Sequence, residues 1–212
     1  MEKLPPGQQK RPDFPRFGMP SSAGYKPSSH PMSITIGGEI EEPFEIPLTD
    51  LAGLTRVEQV SDLHCVTTWS ATELHWSGYG FSEFWNALIA PRMPSETPIP
   101  SRLVFKGDDR YWSSLAIEDA LSGDVLIADM LNGKPLDLDH GAPIRLVAPS
   151  HYGYKSVKHL AGIDFRSTFK GSGMLEHPRA RVAFEERGRV LPGTVLRYLY
   201  RPSIGPIVKK LS

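Results

Sequence analysis

The sequence predicts an α+β fold, mostly β, built as a single domain over residues 32–168 with extended arms at 1–31 and 169–212. Apolar and polar residues alternate in short runs broken by proline and glycine, the pattern of strands joined by tight turns. Only residues 80–90 carry apolar side chains at clear helical spacing. A chain of 212 residues with 40% hydrophobic content is long enough to bury one substantial core, and its length favours one large domain over two small ones.

Residues 1–31 are crowded with proline, glycine, serine and lysine, which favours extended backbone over packed helix. Within that arm, Phe14-Pro15-Arg16-Phe17-Gly18 places two aromatics around an arginine, a combination suited to pinning the arm onto the body. Residues 32–40 alternate and then meet Gly37-Gly38, so they are expected as a strand entering a hairpin. Residues 56–68 are expected as a strand carrying Cys65 near its end, because Val57, Val60, Cys65 and Val66 favour extended backbone. In the helix expected at 80–90, Phe81, Phe84, Trp85, Leu88 and Ile89 form one apolar face that stops at Pro91.

Residues 103–105, 112–115 and 125–128 are short strand or helix pieces between Gly-Asp and Ser-Gly turns, and 117–121 is a brief helix. Residues 143–149 form a proline-bounded apolar strand with Arg145 embedded in it. An arginine in so apolar a run calls for an anionic partner. Residues 156–165 close the core as a strand-like or short helical unit. From 185 to 212, arginine and lysine alternate with Val, Leu and Tyr, which suits a docking tail or an arm packed on its own domain or on a second subunit of a homo-oligomer.

Charge and targeting narrow the function classes. Lysine plus arginine (24) equals aspartate plus glutamate (24), so no global field gathers nucleic acid, and any anion site is local. No apolar run approaches the ~20 residues that span a bilayer. The N-terminus carries no secretory pattern and the chain is poor in cysteine, so a cytoplasmic location is expected. The single cysteine, Cys65, can close no intrachain disulfide and cannot build a cysteine-rich zinc or iron–sulfur site, but it can donate one thiolate.

Four motifs stand in order along the chain: Asp62-Leu63-His64-Cys65-Val66-Thr67-Thr68-Trp69-Ser70; Asp108-Asp109-Arg110-Tyr111; Leu131-Asn132-Gly133-Lys134-Pro135-Leu136; and His140-Gly141-Ala142-Pro143-Ile144-Arg145 through Tyr152-Gly153-Tyr154-Lys155-Ser156-Val157-Lys158. Together they resemble the sulfite oxidase-like molybdopterin-dependent oxidoreductases over residues 34–165. Arg16-Phe17-Gly18 is a weaker match to the arm that touches the cofactor in that family.

The resemblance implies the mostly β molybdopterin-binding fold of that family around one molybdenum ion, held by two dithiolene sulfurs of a pterin and one cysteine thiolate. Cys65 matches the thiolate position, and a soft, deprotonated sulfur suits such a metal. Tyr111 matches a metal-proximal phenol able to bond an oxo ligand or substrate oxygen, with Asp109 and Arg110 orienting it or touching the pterin. His64 and Trp69 flank the ligand. Arg145, Ser156 and Lys158 would grip the pterin phosphate with help from Lys155, His140 would donate to a pterin or phosphate oxygen, and Tyr154 and Val157 belong to the same motif. Gly141 and Gly153 would allow close approach to the cofactor. Arg16 and Phe17 would reach it from the arm.

The implied activity is two-electron oxygen-atom transfer on a small substrate, a sulfite-like oxyanion or a sulfoxide. Sulfite-oxidising members carry an arginine shortly after the ligand cysteine, where this chain has Thr67, Thr68, Trp69 and Ser70, so sulfite fits less well. The Cys-Val-x-x-Trp-Ser form is more similar to the branch that includes bacterial sulfoxide reductases. Electrons would pass through a separate donor or acceptor protein or a small carrier. A carrier or storage protein that holds the pterin without turnover is the alternative. A zinc site shared by Cys65 and histidines is disfavoured, since adjacent His64 and Cys65 on a strand face opposite ways. Gly171-Ser172-Gly173 lacks the third glycine of a dinucleotide fingerprint.

Overall fold

The structure is a computed structural model and describes residues 4–5, 7–16, 33–94 and 99–167, with positions 202, 206 and 209 alone beyond them. Phe17, the Gly171-Ser172-Gly173 segment and, but for those three positions, the C-terminal extension lie outside the described residues. The strands, in chain order, are β1 (Gln9–Lys10), β2 (Ser33–Gly38), β3 (Phe44–Pro47), β4 (Arg56–His64), β5 (Trp69–Gly80), β6 (Arg102–Gly107), β7 (Trp112–Ala116), β8 (Leu126–Leu131), β9 (Lys134–Pro135), β10 (Arg145–Val147) and β11 (Leu160–Arg166). Two short α-helices, α1 (Phe81–Phe84) and α2 (Ile117–Ala120), lie among these strands.

The strands make two sheets. The first runs β1-β5-β8-β10, with β4 also on β5 and β9 on β8; the second runs β3-β2-β11-β6-β7. Only β1–β5 and β2–β11 are parallel among these pairs. The mixed, mostly β architecture is the one expected. The helix expected at 80–90 is α1 continued through a π turn (Trp85–Ile89) and a 3-10 turn (Ala90–Arg92), with Phe81, Phe84, Trp85 and Ile89 buried on one face.

Residues 56–68 are not one strand. β4 stops at His64, and the chain turns through Cys65 into β5, the longest strand, which simple alternation does not reveal. The reason is a change of phase: Trp69 and Ala71 are buried, then Leu74, Trp76 and Gly78. Between them Glu73 adopts φ +59° and donates its N–H to Asp62 Oδ1 at 2.9 Å, opposite an irregularity at Ser61/Leu63 in β4. Where β5 passes β8, Gly78 is required, since a Cβ there would lie 2.2 Å from the Ile127 carbonyl.

The first sheet divides the apolar interior. Val125, Ile127, Ile144, Leu146 and Ala148 join the main core with β2, β6, β11 and the helix, whereas Leu126, Ala128 and Val147 join a smaller cluster with Cys65, Trp69, Ala71, Leu74 and Trp76. Alternation along β10 therefore puts Arg145 on the Cys65 side, next to Val147. Each large side chain buried this way contributes roughly 1.5–3 kcal/mol. Among the described residues no helix is long and apolar enough to cross a membrane.

Candidate functional site

Cys65 sits at the head of the β4–β5 hairpin, 9% exposed. Its N–H donates to the Trp69 carbonyl at 2.8 Å, and its carbonyl accepts from Thr68 N–H at 3.0 Å. Thr68 closes the turn at φ +79°, an uncommon conformation for a branched residue. The sulfur lies 3.1 Å from Thr67 Oγ1. Beside it, Thr68 Oγ1 is buried without a hydrogen-bond partner. His64 is buried, with Nδ1 2.8 Å from Ser70 Oγ, and burial, working against the nearby Asp62 charge, pushes its pKa down.

The β6–β7 turn brings Tyr111 to the same region. Arg110 occupies φ +67° at the exposed tip, and Asp109 Oδ1 accepts from the Tyr111 N–H at 3.0 Å, so Asp109 orients the tyrosine through its main chain. The Tyr111 hydroxyl donates to the Tyr154 carbonyl at 2.6 Å. Its pKa is held well above the ordinary phenol range, by burial first and then by Tyr154, Asp109 and Cys65, which places the thiol within electrostatic reach of the phenol.

A cationic cluster forms the other end. Arg145 is fully buried and donates to the carbonyls of His140 at 2.8 Å, Ser156 at 3.1 Å and Leu146 at 3.4 Å. The anionic partner expected from the sequence is not supplied by the described residues: the apolar strand offers only carbonyl dipoles, and burial brings the pKa down to about 10. Lys158 donates to the Asp139 carbonyl and is pushed down to about 7, by burial first and then by the charges of Arg145 and Arg16. Arg16 pairs with Asp139 at 3.2 Å. An uncompensated buried cation costs several kcal/mol, which an anionic ligand would offset. The donor set therefore fits a phosphate-bearing group, and the buried soft sulfur fits a thiophilic metal.

The arm links the two ends. Phe14 packs against Trp69 (ring centroids 6.4 Å), Trp76 (6.1 Å) and His140 (4.7 Å), and its carbonyl lies 2.8 Å from His140 Nε2. His140 Nδ1 meets Asp137 at 2.7 Å. Other expected residues serve the frame. The Lys155 ammonium turns inward to the Ser114 carbonyl at 2.5 Å, and Ser156 Oγ accepts from Ala148 N–H at 3.1 Å. Val157 lies in the main core with its N–H and carbonyl both paired. Tyr154 presents its carbonyl to Tyr111.

Gly141 and Gly153 are each closely flanked by the chain itself. A Cβ on Gly141, at φ +108°, would stand 3.0 Å from the Lys158 Cβ, and one on Gly153 would stand 2.7 Å from Leu63 Cδ2, so both permit chain-to-chain packing. Among the described residues no three His, Cys, Asp or Glu side chains gather as a metal site. Gln8, which helps hold the cysteine turn, carries no sequence signal: its Nε2 donates to the Cys65 carbonyl across 57 positions.

Known proteins resemble this chain in sequence and in fold. The family model described as the oxidoreductase molybdopterin binding domain matches residues 22–172. The uncharacterized oxidoreductase YuiH of Bacillus subtilis is 28% identical over 163 residues, covering 77% of this chain and 79% of its own length. The protein-methionine-sulfoxide reductase catalytic subunit MsrP of Xanthomonas axonopodis pv. citri is 31% identical over 170 residues, covering 72% of this chain and 52% of its own, so the chain spans about half of that relative. The crystal structure of the sulfane dehydrogenase SoxCD from Paracoccus pantotrophus shares the fold, with a TM-score of 0.57 at 20% identity over 73% of this chain and 42% of that one. A family match over residues 22–172, on a frame that sets Cys65 and the buried Arg145 on the same side of the first sheet, makes this chain a member of the molybdopterin-binding oxidoreductases, with molybdenum–molybdopterin as cofactor.

Proposed function

We propose that the protein reduces small sulfoxides by two-electron oxygen-atom transfer, with Cys65 as the thiolate ligand of molybdenum. The observation that carries this reading is the pairing of a buried cysteine turn with a buried arginine whose hydrogen bonds all go to carbonyls. When bound, the cofactor supplies the two-electron redox change and exchanges oxygen with water and substrate. The chain's own residues supply the rest. Arg145 and Lys158 hold the phosphate, with His140 and Arg16 closing that end. Phe14, Trp69 and Trp76 exclude water from the space between. Tyr111 keeps its proton across the working pH range and can turn its hydrogen bond from the Tyr154 carbonyl to a substrate oxygen.

Thr67 and Thr68 favour a neutral polar substrate over a dianion, because neither brings a positive charge to the ligand turn. The relatives named methionine-sulfoxide reductase support the same choice. A separate protein or small carrier delivers electrons.

Elemental analysis for molybdenum and fluorescence of the oxidised pterin test cofactor binding, and a dye-linked assay with methionine sulfoxide tests turnover. Wild type should carry metal and turn over, while Cys65→Ser should lose turnover and keep its fold. A serine variant with full metal and activity would refute the ligand assignment. Loaded protein that neither turns over nor changes redox state would favour a carrier role.

A further inference from the structure

The N-terminal arm is stitched to the cysteine turn by a directional network. Gln9 N–H donates to the Thr68 carbonyl at 3.1 Å and Arg11 N–H to the Ser70 carbonyl at 2.8 Å, the two ends of the short parallel pairing of β1 with β5. Just before them, half-buried Gln8 donates from Nε2 to the Cys65 carbonyl at 2.9 Å, and its Oε1 accepts from Ser70 Oγ at 3.2 Å.

The direction of every bond follows from valence. A main-chain carbonyl only accepts, so the amide nitrogen of Gln8 must face Cys65 and its oxygen must face Ser70. The Ser70 hydroxyl has one hydrogen, given to Gln8, so His64 Nδ1 is the donor to Ser70 Oγ. The network thus sets the His64 hydrogen on Nδ1 and fills the Cys65 carbonyl with a second donor besides Thr68 N–H. Both main-chain polar groups of Cys65 are then held, and the peptide that aims its side chain has little freedom left.

We infer that Gln8 is a positioning residue for Cys65, and that seating the arm sets the direction of the sulfur presented to the cofactor. This rests on the ligand role proposed above for Cys65, and two substitutions separate its contacts. Gln8→Met keeps the shape and removes both hydrogen bonds. Gln8→Glu keeps an acceptor for Ser70 and loses the donor to the Cys65 carbonyl. Lys10→Ala serves as control, since it breaks only the arm's exposed ion pair with Glu73.

The first readout is the rate of Cys65 alkylation by iodoacetamide in the cofactor-free full chain, where the single cysteine makes labelling unambiguous. The second is the electron paramagnetic resonance line shape of the loaded, one-electron-reduced protein. Both Gln8 variants should be alkylated about tenfold faster, the opening expected when one net hydrogen bond leaves the closed turn. Their spectra should broaden or split into more than one species, while Lys10→Ala matches wild type. Wild-type alkylation and spectra in both Gln8 variants would overturn the inference, as would equal acceleration by Lys10→Ala. Full metal together with full activity in Cys65→Ser would instead sink the ligand assignment, which the alkylation rates do not depend on.

Discussion

The guanidinium of Arg145 lies over the indole of Trp76, 5.2 Å from the ring centroid. Its other neighbours are carbonyl oxygens, so the cation rests among dipoles and a π-face, an environment that orients it without neutralising it. A group held in this way is ready for an anion.

Arg145→Met should therefore separate binding from folding. Removing the charge relieves its desolvation but leaves the His140 and Ser156 carbonyls short of a donor, effects of about 1–3 kcal/mol each that oppose one another. The cofactor-free variant should melt within a few degrees of wild type. Bound pterin should fall roughly ten- to a hundredfold, the size of charge-assisted hydrogen bonds lost. Arg145→Lys should not restore it, since an ammonium lacks the planar fork that reaches both carbonyls. Pterin fluorescence after denaturation, read beside thermal melts, checks both halves.

Lys158 predicts a pH dependence of stability. Burial, Arg145 and Arg16 hold its ammonium down to about 7, against an ordinary 10.5. Between those values the unfolded chain binds the proton and the folded chain does not, so stability rises with pH across that window; below it the penalty is complete. Lys158→Met removes the penalty. Without cofactor, the variant should melt about 2–4 °C above wild type at about pH 6, with the gap closing towards about pH 10. Calorimetry at both ends of the window would contradict this if wild type were the more stable at acid pH.

Tyr111→Phe removes the hydrogen bond to the Tyr154 carbonyl and the one hydroxyl proposed to meet substrate. The stability cost should be about 1 kcal/mol, one net hydrogen bond. Turnover should fall further, by roughly ten- to a hundredfold, through loss of a donor at a substrate oxygen. Because the wild-type phenol is held above its ordinary range, its ionisation should add no basic limb to the pH–rate profile below about pH 10. Dye-linked kinetics against pH test all of this; equal activity in the variant would remove Tyr111 from the reaction.

Phe14→Ala should loosen the arm without unfolding the sheets. The ring is half-buried against Trp69, Trp76 and His140, and losing such aromatic contacts costs about 1–2 kcal/mol. Limited proteolysis should cut the arm faster while leaving the strands of both sheets protected, and tryptophan emission should shift to the red. Wild-type cleavage rates would show that the main-chain pairing of β1 suffices.

Local patterning made much of the frame readable. Alternation marked β2, a proline-bounded apolar run marked β10, helical spacing marked the run from Phe81 to Ile89, and the motifs around Cys65, Tyr111 and Arg145 marked the candidate site in chain order. β5 stayed hidden because a left-handed Glu73 flips its phase between Ala71 and Leu74, and a one-residue change of phase erases the period of two that a reader of sequence relies on.

The residue types needed for a thiolate and an anion grip were thus set by the sequence alone, since chemistry of that kind depends on which side chains are present. Only the tertiary structure decided how they are held: Arg145 on carbonyls and Trp76 instead of a carboxylate, Gly141 and Gly153 as packing sites, and Gln8 clasped to the Cys65 carbonyl. The physical reason is separation along the chain. Contacts between residues 57 positions apart arise when the sheets stack and the arm pairs with β5, and nothing in the local order of residues encodes them.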